Sequence, residues 1–283
     1  MDVKAIVALV VLLVLFMTTG VAGEEPLEEI TVSTAEELLA ALGSNRRILL
    51  QKGVYNLDVA KQVFVGNANV YFEESYGGLE LILDDVHNLT IQGEGDLQSE
   101  IVIEERDSAV MSFLSCSNIR IQNMIAGHTK EGGECSSGVF FFYDCAGVSI
   151  DGTQMYGCGT HGLELYKATD VEVSDSSVFG CTAGAVYITE SENILFKNCV
   201  FRDNTGYAII GAEDSSYMTV DSCAFLRNTG EYGMFIISGS ENIMVTNTEF
   251  TDNDMKALVD SEGSDIEFDT TNRFENNTFD MFQ

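Results

Sequence analysis

From about residue 80 onward, apolar and polar positions alternate in short runs that recur down the chain. NLTIQG, NIRIQN, GVSIDG, DVEVSD, NILFKN, YMTVDS, NIMVTN and DIEFDT begin at residues 88, 118, 147, 170, 193, 217, 242 and 265, so successive units are 23 to 30 residues long. Leu89 and Ile91, Ile119 and Ile121, Val171 and Val173, and Ile243 and Val245 mark every second position. A period of two predicts a strand with one buried face, and no helical period of 3.6 intervenes.

Further columns keep the register. Met155, Val178, Phe201, Phe225 and Phe250 lie eight residues into their units; Cys158, Cys181, Asn204, Asn228, Asn253 and Asn276 lie eleven in. The runs GLELY, AVYIT, AIIGA and GMFII supply another strand before the next unit. Each unit therefore reads as a coil of three short strands, stacked about 4.8 Å from the next. Stacked asparagines hydrogen-bond along such an axis while holding a bend. The expected fold is all-β: a three-strand-per-coil solenoid.

These coils, with turns such as DNTG at 203 and RNTG at 227, resemble the right-handed parallel β-helix repeats of the pectin-lyase-like superfamily over residues 81–283. Right-handedness is what the resemblance and the crossover preference of parallel strands imply. Residues 24–80 are read as a capping helix and the first irregular coils. In TVSTAEELLAALGS, Ser33 is expected as N-cap and Glu36 as its capping-box partner. Leu38, Leu39 and Leu42 share one face, and Gly43 ends the helix. RRILL and GVYNL should form strands of the first coil, and the tail with Phe274, Phe279 and Phe282 should fold across the far end.

Residues 1–23 combine Lys4, an uncharged run and small residues at Ala22 and Gly23. This predicts a secretory signal peptide, with an uncleaved N-terminal anchor as the alternative. The protein is accordingly expected to be secreted, periplasmic or on the cell surface. The net charge of −31, from 45 acidic and 14 basic residues, excludes nucleic acid and anionic membrane as partners beyond any such anchor. It also repels acidic polysaccharides unless a divalent cation bridges them. Calcium is the only cofactor that enters, and no loop has ligand spacing that demands it.

Seven cysteines suggest disulfides in an exported protein. Cys116 and Cys145, Cys158 and Cys181, and Cys199 and Cys223 share columns, where parallel side chains favour free thiols. A bridge from Cys135, in the long loop, to Cys158 is the one expected disulfide. No Cys-x-x-Cys pair offers a metal site.

Chemistry concentrates near GTHGLELYK, residues 159–167. His161 occupies a turn, Glu164 points outward, and Lys167 falls between Asp144 and Glu190. Tyr187 in the following coil and Phe141 or its neighbour in the preceding one flank Glu164, with Ile210, Phe235 and Val259 expected to continue that outward column. Tyr187, Phe141, Phe235 and His128, the last carried in by the long loop, are the expected substrate-binding residues. Aromatic faces stack on sugar rings, while carboxylates and amines bond hydroxyls. His161, Glu164 and Lys167 are the catalytic candidates, although a turn histidine and a surface ion ladder also explain them.

Polygalacturonases, which the fold resembles, use a G-H-G motif and paired acids; here only THG remains. The outward positions Thr90, Arg120, Ser149, Glu172, Leu195, Thr219, Met244 and Glu267 place no carboxylates in adjacent coils. The proline-flanked arginine motif of pectate lyases is missing. The leading expectation is a β-helix that binds a polysaccharide or cell-surface glycan along its side. The alternatives are a polysaccharide lyase, glycoside hydrolase or epimerase, and a structural envelope or adhesion element.

Overall fold

The computed structural model describes residues 27–75, 78–95, 97–105, 107–130, 137–157, 159–262 and 264–280. The alternating runs become the strands His87–Gly93, Ser117–Gln122, Ala146–Asp151, Thr169–Ser174, Glu192–Lys197, Ser216–Asp221, Glu241–Thr246 and Ile266–Phe268. They lie side by side in a ten-stranded sheet that starts with Glu28–Val32 and Arg46–Leu50. Sheets of nine and eleven strands complete the coils among the described residues. Pairing is parallel apart from the hairpin Val70–Ser75 with Gly78–Asp84.

Period two does its expected work. Ile119, Ile121, Val148, Ile150, Val171 and Val173 are buried, while Arg120, Ser149, Glu172, Leu195, Thr219, Met244 and Glu267 stand in one register on the other face. Thr90 belongs to that column and is buried. In the nine-stranded sheet Phe201, Phe225, Phe250 and Phe274 stack with ring centroids 4.8, 4.9 and 4.8 Å apart. Phe201, Phe225 and Phe250 belong to a core continuous along the solenoid, and Phe274, in the last coil, is exposed.

The bends have a common chemistry. Asp144, Lys167, Glu190 and Asp214 take positive φ at one corner, and Asp203, Arg227, Asp252 and Asn276 at another. A single left-handed residue turns the chain sharply, and short polar side chains tolerate that conformation best. The following residue points inward and, Ala168 apart, its side chain accepts a backbone N–H of the coil before it. Asn204, Asn228, Asn253 and Asn277 do so for Cys181, Asn204, Asn228 and Asn253, at 3.0–3.1 Å. The asparagine ladder thus ends on Asn277 and not on Asn276, because the last coil holds one more residue between Ile266 and Phe274 than its predecessor holds between Ile243 and Phe250.

Two further ladders follow the same rule. Ser191, Ser215 and Ser240 accept from Ala168, Ser191 and Ser215 at 3.0–3.1 Å. Cys223 Sγ accepts from Cys199 N at 3.4 Å, and Thr248 Oγ1 from Cys223 N at 3.2 Å. Cys145 Sγ serves Cys116 N likewise, at 3.4 Å. Cys145 and Cys223 are thus bend acceptors, in the role that serine, threonine and asparagine fill at other bends. Cys116, Cys145, Cys199 and Cys223 are free and buried. The hydrogen bond to its neighbouring cysteine, and then burial, push the Cys116 and Cys223 thiols far up, so they stay protonated. Cys181 departs from the expected free thiol: it is disulfide-bonded. Cys135 and Cys158, with the bridge expected between them, lie outside the described residues.

Helix α1, Ala35–Ala41, covers the first coil with Ala35, Leu38, Leu39 and Ala41 buried. Its cap is one residue later than expected. Thr34 Oγ1 accepts from Glu37 N at 3.2 Å, and Glu37 Oε2 accepts from Ser33 N and Oγ at 2.8 and 2.9 Å. Glu37 rather than Glu36 closes the box, because Thr34 is the residue with extended backbone before the first turn. A second short helix, α2, spans Leu57–Ala60. At the other end the described part of the tail, through residue 280, does not fold across the coils. Thr278–Asp280 pairs in parallel with Asp254–Glu262 and so prolongs the solenoid; Phe282 lies outside the described residues.

Candidate functional site

The strand Leu163–Tyr166 presents Glu164 outward, in register with Phe141 on one side and Tyr187 on the other. His161, in the turn before it, stacks on Tyr187 with ring centroids 5.4 Å apart and planes at 22°. Its Nδ1 lies 3.5 Å from Glu164 Oε1, which also accepts from Thr160 Oγ1 at 2.8 Å. Gly184 makes room for this ring. A Cβ there would meet His161 Cδ2 at 3.1 Å and the Ala208 carbonyl oxygen at 2.0 Å, on a backbone with φ of +141°. Burial, and then the Glu213 carboxylate, raise the Tyr187 phenol above its ordinary value, so Tyr187 is a neutral donor.

The other expected residues separate from this pair. Lys167 follows the strand whose start His161 precedes, about 20 Å away along an extended chain. It faces Glu190 at 3.7 Å and the Tyr143 ring at 5.7 Å, on the surface. Phe235 is fully buried. The outward column runs Phe141, Glu164, Tyr187, Gly211, Ile236 and Asp260, so Ile210, Phe235 and Val259 are its inward neighbours. From Tyr187 to Gly211 the coil holds 24 residues rather than 23, and a one-residue slip exchanges the two faces of a strand. His128 ends the strand Ile125–His128 in the nine-stranded sheet, buried, with Nε2 at 3.0 Å from the Ser108 carbonyl oxygen. It is a core residue.

The extra residues in the longer coils build a feature that repeat spacing alone conceals. Tyr207 is inserted in the turn after Thr205–Gly206, and Tyr232 sits where the register slips between Gly230 and Gly233. Tyr207 is 67% and Tyr232 39% exposed, and their rings are 5.0 Å apart. Lys256 Nζ lies 5.8 Å from the Tyr232 ring centre. Beneath them Thr205, Thr229, Asp254 and Thr278 stand in one register. Together they line a groove of about 1180 Å³ across successive coils. A hollow of about 270 Å³, lined by His161, Tyr187, Gly211 and Glu213, shares Ala183 and Tyr207 with it.

The site is thus an aromatic shelf and a row of hydroxyls, with a histidine–carboxylate pair beside one end. Unit lengths of 24 and 25 residues, each gaining a tyrosine, are the sequence signal for it. Among the described residues, no three His, Cys, Asp or Glu side chains gather as a metal site.

No curated protein matches the chain in sequence. Among solved structures it is similar to the pectin methylesterase of Aspergillus niger, at 13% identity and a TM-score of 0.52, over 90% of this chain and 87% of that one. It is similar also to a pectate lyase of Paenibacillus sp. 0602, at 11% identity and a TM-score of 0.51, over 79% and 77% of the two chains. A likeness to ORF18 of Geobacillus virus E2 has 11% identity and a TM-score of 0.45, over 87% of this chain and 57% of the other. The family model for the right handed beta helix region matches residues 101–279, more than half of the chain. With its parallel coils and continuous inner ladders, the chain belongs to that family and has the right-handed, pectin-lyase-like parallel β-helix fold.

Proposed function

We propose that this chain is an exported, surface-associated β-helix protein that binds a polysaccharide along the groove beside Tyr207 and Tyr232. The observation that carries the reading is the pair of exposed tyrosines, their rings 5.0 Å apart and tilted by 35°, above a row of three threonine hydroxyls and the Asp254 carboxylate. Exposed rings are costly to leave in water, and their faces match the C–H faces of sugar rings. The similar solved structures named above, a pectin methylesterase and a pectate lyase, support the same direction. Export rests on the signal-like residues 1–23.

The test is affinity electrophoresis or calorimetry against a panel of soluble polysaccharides, with Tyr232→Ala and Tyr207→Ala beside the native chain. Each substitution is expected to weaken binding about tenfold, or about 1.4 kcal/mol, without lowering the melting temperature by more than a few degrees. Binding indifferent to both changes would remove the groove from the reading.

A second reading, an enzyme acting on the bound chain, is favoured by the His161–Glu164 pair at the groove's end. A carboxylate beside an imidazole orients the ring, as a general acid or base requires. On any polysaccharide that the chain degrades or epimerises, His161→Ala should abolish turnover while leaving binding and melting temperature nearly unchanged. Retained turnover would leave the histidine a turn residue.

A further inference from the structure

The glycan reading leaves open which chemical class the groove accepts, and its charged lining bears on that. Glu231 and Asp254 line the groove, and Glu213 lines the adjoining hollow, with the Glu164 carboxylate beside His161. Glu231, Asp254 and Glu213 are exposed. The basic residue lining the groove is Lys256, which sits over the Tyr232 ring. Arg227, two residues before Thr229, is engaged elsewhere, forking onto Asp203 at 2.8 and 2.9 Å.

Resting on the glycan-binding reading, we infer that the groove selects polysaccharides without carboxylate or sulfate groups: neutral chains, or chains that carry amino sugars. A polyuronate lying over Tyr207 and Tyr232 would bring repeated negative charges against Asp254, Glu231 and Glu213, inside the field of a chain whose net charge is −31. Like charges juxtaposed at an interface suppress a wrong partner. Thr205, Thr229 and Thr278 instead offer donors and acceptors that suit uncharged hydroxyls. Calcium bridging would require gathered carboxylates, and none come together in that way among the described residues.

The experiment uses the full chain in calorimetry with four probes: a soluble glucomannan, chitosan oligosaccharides, polygalacturonate and alginate. Each is run with EDTA and with millimolar calcium chloride, at low and high sodium chloride. The expected result is binding to glucomannan or chitosan oligosaccharides, with both polyuronates at least tenfold weaker in every buffer. Glucomannan binding should ignore salt, chitosan binding should weaken with it, and residual polyuronate binding should strengthen as repulsion is screened.

Glu231→Lys combined with Asp254→Lys should then narrow the gap to polygalacturonate by at least fivefold. Polyuronate binding as tight as that of the neutral chain, with or without calcium, overturns the charge selection and leaves glycan binding standing. An unchanged preference in the double variant also overturns it. Silence toward all four probes sinks the glycan-binding reading itself, and the selection with it.

Discussion

His128 shows how much a single side chain can depend on its surroundings. Its ring is buried, Nε2 has one backbone partner, and Nδ1 has none among the described residues. Burial holds its pKa below the ordinary 6.5, against smaller opposing effects of the Ser108 carbonyl and the Asp58 carboxylate. Below pH 6.5 the unfolded chain therefore binds a proton that the folded chain refuses. The stability tied to this ring is complete above 6.5 and is lost as pH falls from there toward the lowered folded value. Asp203 and Asp221 are held below 3.8, chiefly by hydrogen bonds from Arg227 and Asn247. Their contributions are complete above 3.8 and disappear in the more acidic window beneath it. Urea midpoints at pH 7.5 and 5 should thus fall more for the native chain than for His128→Gln, which cannot take up the proton. Equal slopes in the two proteins would contradict this assignment.

At the scale of the element, the bend is the unit that the sequence repeats. The bend takes one left-handed residue, then an inward side chain that in most of the later coils accepts a backbone N–H. Asn228 makes the requirement concrete. Its Oδ1 accepts from Asn204 N and Nδ2 at 3.1 Å each, and its Nδ2 donates to Phe201 O at 2.9 Å. Asn228→Ala leaves those buried groups unpaired, an expected loss of about 3 kcal/mol in a urea titration. Glu172→Ala, on the exposed outward face, should change stability by about 0.5 kcal/mol or less. These elements were largely legible in the chain, because burial on one face forces period two and each bend repeats its polar residue. Less legible were the cap on Thr34 and the ladder's end on Asn277. Both differ from expectation by a single residue, and a repeated pattern fixes position only to within such a step. Ser191, Ser215 and Ser240 escaped the reading, since serine is common in turns for many reasons.

The whole molecule behaves as a stack in which each coil meets only its neighbours, so stability should divide coil by coil. Glu192 pairs with Ser216 in the next coil. Deleting residues 192–215 therefore joins Ser191 to Ser216 and removes one complete coil in register. The shortened chain should keep its strand signal per residue in circular dichroism and melt cooperatively at a somewhat lower temperature. An unfolded product would mean that the coils are not independent layers. The same deletion removes Tyr207 and shortens the groove, so glycan binding should weaken along with it.

Period, charge and ladder residues were properties of the sequence itself, because each is set by which side chains must leave water and which must bend the chain. From these alone came the coils, the acidic surface, the stacked phenylalanines and the pairing of Glu164 with Tyr187 and Phe141. The tertiary structure decided where the coils lengthen. One added residue turned Phe235 inward and Ile236 outward, and the insertions lifted Tyr207 and Tyr232 into a shelf. It also parted Lys167 from His161 and placed His128 in the core. Those outcomes depend on where an extra residue is absorbed around a closed coil. The neighbouring layers fix that, and a linear pattern does not record it.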